Sequence, residues 1–170
     1  MPMHLIGITG KSGSGKSTLA KWLADNAEYF LIDVDEIGHQ ILDIPEVQKE
    51  ILMRFGVHAS SDNRKELAMV VFNDENKMLE YKDMTYKIMC DKIDQLIDAH
   101  PYCIIEWIKL PNTKYFDMCD VKVLCERPYD KRMAAVMERD HITKEYFEIR
   151  EKNSIEYNRD DFDHILIINK

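Results

Sequence analysis

The residues most able to do chemistry are Gly10-Lys11-Ser12-Gly13-Ser14-Gly15-Lys16-Ser17, which match G-x-x-x-x-G-K-[ST] at every fixed position. Glycines at this spacing let successive backbone N–H groups converge on an anion, where a Cβ would block the approach. Gly13, Ser14, Gly15, Lys16 and Ser17 are therefore candidate phosphate ligands. Lys16 has the reach for β- and γ-phosphate oxygens, and the Ser17 hydroxyl suits Mg2+.

A loop of this kind works only between a strand and a helix. Residues 5–9 are apolar and partly β-branched, as a strand requires. Residues 18–24 have helical spacing, with Leu19, Trp22 and Leu23 on one face. The helix contributes its positive dipole end to the same spot.

Two further groups suit the same chemistry. Residues 29–35 read as a buried strand ending in Asp33 and Asp35, with Asp35 capping a helix over 36–42. Strand carboxyl ends face the ligand crevice in an open α/β sheet, so one of these aspartates is expected to act on substrate. Lys131, Arg132 and Arg139 form a late cationic segment. Mobile cations that close over a transferred phosphoryl are the chemistry it could supply.

Composition bounds the reading. A chain of 170 residues holds one domain with a sizeable core. Its net charge of −8 argues against a general nucleic-acid surface. The four cysteines make no C-x-x-C pair and read as reduced, mostly buried thiols. No apolar run approaches membrane-spanning length, and the start of the chain has no signal-like stretch. A cytoplasmic protein with no membrane partner is expected; the sequence leaves the oligomeric state open.

Helices are expected over 46–55 (opened by Pro45 and closed by Gly56), 64–72 and 75–99. The longest carries an apolar stripe of Met78, Leu79, Met84, Ile88, Met89, Ile93, Leu96 and Ile97. Strands follow over 102–108, 121–126 and 164–169. Alternation of this type gives a five-stranded parallel sheet wrapped on both faces. The scattered histidines offer no zinc site, and His39 is expected to be a partly exposed helix residue.

The combination resembles the dephospho-CoA kinase family over almost the whole chain. Ile8-Thr9-Gly10 through Thr18 is similar to its phosphate loop, and Ile32-Asp33-Val34-Asp35-Glu36-Ile37-Gly38-His39 to its second strand and helix. Phe55-Gly56, Arg64-Lys65-Glu66-Leu67 and Val71-Phe72-Asn73-Asp74 resemble its middle region. Met137-Glu138-Arg139-Asp140 with Thr143-Lys144-Glu145 resembles its lid, and Ile167-Ile168-Asn169 its last strand.

The resemblance implies a P-loop kinase fold of the α/β class, a three-layer sandwich with a five-stranded parallel sheet. It implies a single domain: a core over 1–44 and 100–170, a helical acceptor-binding insert over 45–99, and a short lid over 132–143. It implies transfer of the γ-phosphate of ATP, with Mg2+, to the ribose 3′-hydroxyl of dephospho-CoA. Asp35 is then the general base with Asp33 beside it, Arg139 faces the triphosphate, Thr18 joins the nucleotide ligands, and Arg64 lies near the acceptor. Tyr86-Lys87 stands where the family usually has His-Pro, which makes Tyr86 a candidate acceptor contact.

The rival on the same core is a kinase for another small hydroxyl acceptor, a nucleoside or nucleotide. A rival of another class is a nucleotide-binding regulatory module without turnover. Asn76-Lys77-Met78-Leu79 lacks the aspartate of N-K-x-D and sits in a helical stretch, which argues against a guanine switch.

Overall fold

The computed structural model describes residues 3–170. A parallel strand pair cannot be closed by a tight turn, so each strand is followed by a crossover. The strands are β1 (His4–Thr9), β2 (Phe30–Asp33), β3 (Tyr102–Glu106), β4 (Val121–Glu126) and β5 (His164–Ile167). They line up in the order β2-β3-β1-β4-β5. Register pairs Ile6 with Ile104 and with Val121, and Val123 with His164, all parallel. β1 is thus central, and its carboxyl end opens between those of β3 and β4.

Both faces of the sheet are covered, which gives the three-layer α/β sandwich expected. On one face Ile8, Ile104, Val123 and Cys125 pack with Ala20, Leu19 and Leu23 of α1 (Lys16–Ala27). On the other, a Cβ added to Gly7 would lie 2.6 Å from the Cys119 Sγ and 2.8 Å from Leu110. The segment from Leu110 through the short α6 (Lys114–Met118) therefore approaches the backbone of β1 closely. Sequence patterning did not anticipate α6, because five residues are too few to show a period.

The chain divides into two compact units, Asp33–Ala99 and the remainder. The first of these holds α2 (Val34–Gln40), α3 (Pro45–Phe55), α4 (Lys65–Phe72) and α5 (Glu75–Ala99). Its core is Leu42, Val47, Ile51, Phe55, Leu67 and Val71, with Met78, Tyr81, Met84 and Ile88 of α5 against them. Pro45 opens α3 and Gly56 ends it at φ +69°, its N–H on the Leu52 carbonyl, as expected of a glycine C-cap. Asp74 accepts from the N–H groups of Asn76 and Lys77 and so starts α5.

Four expectations are corrected. β2 stops at Asp33, not at residue 35, and it is an edge strand with only Ile32 fully buried. Asp33, not Asp35, caps α2: its Oδ1 accepts from the Glu36 N–H at 3.1 Å. The Asp-x-x-Glu spacing of a capping box explains the boundary. Trp22 is 60 % exposed and Leu79 59 % exposed, so neither belongs to the apolar stripe of its helix. Ala20 and Thr85 take buried positions on those helices.

None of the four cysteines is in a disulfide; Cys103, Cys119 and Cys125 are buried and Cys90 is partly exposed. Burial pushes Cys119 up to about 12 and Cys125 up to about 11. Because the thiolate is the nucleophile, iodoacetamide at neutral pH should label Cys90 first. The other three should label only in denaturant, as read by mass spectrometry of peptides.

Candidate active site

β1 ends in Thr9, and the chain turns through the glycines into α1. Gly13 and Gly15 have φ of +78° and +90°, conformations that a side chain resists. A Cβ at Gly13 would lie 2.7 Å from the Arg132 carbonyl, and one at Gly15 would collide with the Ile168 side chain. Gly15 is the N-cap of α1 and offers no capping side chain, nor does the first turn carry an acid. The leading N–H groups of the helix are left for a ligand.

Two buried polar groups sharpen that picture. Ser14 is 1 % exposed, and its Oγ has no hydrogen-bond partner. An orphaned buried hydroxyl in such a cradle suits an incoming anion oxygen. Lys16 is 5 % exposed, with its Nζ 3.9 Å from Glu106 Oε1. The Ser17 hydroxyl donates to the same Oε1 at 3.1 Å.

Glu106 is the buried carboxylate beside the loop that sequence reasoning missed. It is the last residue of β3 and 3 % exposed. The signal was available: an acid closing an apolar strand, the same argument applied to Asp33 and Asp35. The Glu106 carboxylate and the Ser17 hydroxyl are hard oxygen donors of the type Mg2+ accepts.

The late segments press on the loop. Tyr157 donates to the Ile108 carbonyl at 2.7 Å and accepts from the Thr9 hydroxyl at 3.2 Å. Burial pushes its phenol up to about 12, against the Thr9 bond. Lys11 pairs with Glu156 at 2.9 Å. Arg132, on α7 (Tyr129–Asp140), is buried and binds Glu151 of α8 (Lys144–Lys152).

Arg139 lies at the other end of α7 and is exposed. Its Nε and Nη2 bond Asp140 at 2.7 and 3.0 Å, and Arg150 reaches the same carboxylate at 3.1 Å. Arg139, first among these, holds the Asp140 carboxyl below its usual range. Lys131 is exposed on the solvent side of α7.

The remaining candidates belong to the helical unit. Asp35 is exposed in the first turn of α2, two residues past the Asp33 cap. Arg64 sits exposed at the N-cap of α4. Burial raises the Tyr81 phenol and the charge of Arg64 opposes that, so the two are neighbours. Tyr86 is half exposed on α5, and His39 is half exposed 3.9 Å from Glu36. A half-open groove of about 310 Å³ lined by Ile37, Gln40, Ile41, Ile88, Asp91 and Lys92 opens on the Ile37 side of α2. Ile37 is turned about 200° around the helix from Asp35 at 100° per residue, so this groove does not lead to that carboxylate.

A family profile described as dephospho-CoA kinase matches residues 4–169. The chain belongs to the dephospho-CoA kinase family. A dephospho-CoA kinase of Legionella pneumophila is 27 % identical over 150 residues, covering 84 % of this chain and 74 % of its own. One of Aquifex aeolicus is 27 % identical over 161 residues, covering 90 % and 81 %. A solved structure from Thermus thermophilus superposes with TM-score 0.82 at 23 % identity, over 100 % of this chain and 91 % of its own. The dephospho-CoA kinase from Campylobacter jejuni gives 0.62 at 21 %, over 100 % and 90 %. Family membership makes this chain an ATP-dependent kinase. No helix among the described residues is long and apolar enough to cross a membrane.

Lys16 is the loop's own buried cation, so its replacement by alanine should lower kcat/KM by about 10²-fold or more. Steady-state assays with a circular-dichroism check on folding will read this.

Proposed function

We propose that the chain transfers the γ-phosphate of ATP to the ribose 3′-hydroxyl of dephospho-CoA, the last step of coenzyme A synthesis, with Asp35 as the general base. The observation that carries this reading is the uncapped start of α1, with an orphaned Ser14 Oγ and buried Lys16 and Glu106 beside it. Such a site suits an anionic ligand, and the family match names the reaction.

Backbone N–H groups of Gly13 and of Gly15 to Thr18 hold the phosphate oxygens; the Ser14 N–H is taken by the Lys11 carbonyl at 3.0 Å, so Ser14 offers its hydroxyl. Lys16 adds its charge between the β- and γ-positions. Ser17 and Glu106 would hold Mg2+, which when bound neutralises phosphate charge. Asp35 accepts the hydroxyl proton; its exposure in the free chain leaves it open to an acceptor. Asp33 supports it by fixing the first turn of α2. The helical insert over 45–99 takes the acceptor, with Arg64 and Tyr86 as contacts.

Of the segment expected as a lid, 132–143, Arg132 is held at the base by Glu151, and the rest acts as the lid, Arg139 leaving Asp140 for the triphosphate when it closes and water is excluded. Cysteines without disulfides among the described residues fit a reducing compartment, the cytoplasm.

Asp35→Asn should lower kcat by about 10²–10⁴-fold with ATP affinity kept. Asparagine caps a helix as well as aspartate does, so Asp33→Asn should stay folded and far more active. Assays with labelled ATP against dephospho-CoA and a nucleoside panel decide the matter. A dead Asp33→Asn beside an active Asp35→Asn exchanges the roles, and transfer only to a nucleoside replaces the acceptor.

A further inference from the structure

Arg132 is the one buried arginine among the described residues. Its place against the phosphate loop suggests a phosphate ligand, yet four hydrogen bonds already engage its Nε, Nη1 and Nη2. Nη1 bonds the Ser12 carbonyl at 3.3 Å and Glu151 Oε2 at 3.1 Å. Nη2 bonds Glu151 Oε1 at 2.6 Å, and Nε bonds the Arg127 carbonyl at 3.2 Å. The fork on a carboxylate is the geometry arginine holds best.

The Ser12 contact has a consequence for the loop. In a trans peptide the C=O and the following N–H point opposite ways. With the Ser12 carbonyl drawn to Arg132, the Gly13 N–H is turned away from α7. The Arg132 backbone is also the wall against which Gly13 packs, at the 2.7 Å distance that excludes a Cβ. Arg127 holds the next carbonyl, that of Gly13, at 3.3 Å.

Glu151 is what keeps a guanidinium buried there. Its side chain is 15 % exposed, and it also pairs with Lys11 at 3.6 Å. Burial works against its charge, but Arg132 and then Lys11 hold its carboxyl below the usual range.

We infer that Arg132 and Glu151 are positioning residues for nucleotide binding: a strut from α7 and α8 that sets the orientation of the Ser12–Gly13 peptide. The inference rests on the reading of the loop as the nucleotide-phosphate site. Coulomb attraction alone makes the opposite forecast, since removing an anion near the loop should strengthen binding of a polyphosphate.

Calorimetric titration of the full chain with ADP and Mg2+ separates the two. Glu151→Gln and Arg132→Lys should each weaken ADP binding on the order of tenfold. KM for ATP should rise accordingly, with kcat changed less than about threefold, because a preset loop serves ground and transition states alike. Glu156→Gln, which removes the exposed partner of Lys11, should bind as wild type does.

A folded Glu151→Gln that binds ADP equally or more tightly overturns the strut. The double variant Arg132→Met, Glu151→Leu leaves no unpaired charge inside and should also bind weakly; wild-type affinity there overturns it too. If no variant folds, the wild type decides. Slow exchange of the Arg132 Nε–H by NMR without nucleotide supports the strut, and rapid exchange overturns it. Failure of the wild type itself to bind ADP would remove the loop reading instead.

Discussion

The rest of the structure depends on a helix that starts without a cap. The first N–H groups of any helix lack internal partners, and a side chain usually supplies one. In α1 the N-cap is Gly15, which has none to give. The helix is tolerated in that state because β1, central in the sheet, delivers it and because Ala20, Leu19 and Leu23 anchor it on Ile8 and Ile104. Packing holds the unsatisfied end open, which leaves its N–H groups for an anion.

Buried charge around that end is matched rather than avoided. Lys16 lies against Glu106, and Arg132 against Glu151. An isolated ion in a protein interior is costly, whereas a paired and hydrogen-bonded one is tolerable. Each pair joins distant segments: β3 to α1 in one case, α7 to α8 and the loop in the other. The loop's shape is therefore a property of the whole sheet-bearing unit.

The aspartates illustrate how a single residue step changes a role. Asp33 ends the edge strand β2 and caps α2. Asp35 then falls within the helical first turn, where its carboxylate is exposed and favoured by the helix dipole. Stopping the strand two residues early makes one carboxylate structural and leaves its neighbour available for chemistry.

Much of this was legible in the sequence, because the relevant signals are local. The glycine spacing of residues 10–17, the Pro45 and Gly56 bounds of α3, and the Asp74 start of α5 each follow from the backbone preferences of a few neighbouring residues. Alternating strands and helices gave the parallel α/β class for the same reason. What the tertiary structure decided depends on residues far apart in the chain. Glu106 becomes part of the site only when β3 lies beside β1, 89 residues from Ser17. Arg132 looked like a free lid cation in a helix of mixed charge, and only Glu151 and the Ser12 carbonyl made it a buried strut. Trp22 and Leu79 carried the right spacing for a core, yet burial depends on which face a neighbour covers, and periodicity alone does not reveal that.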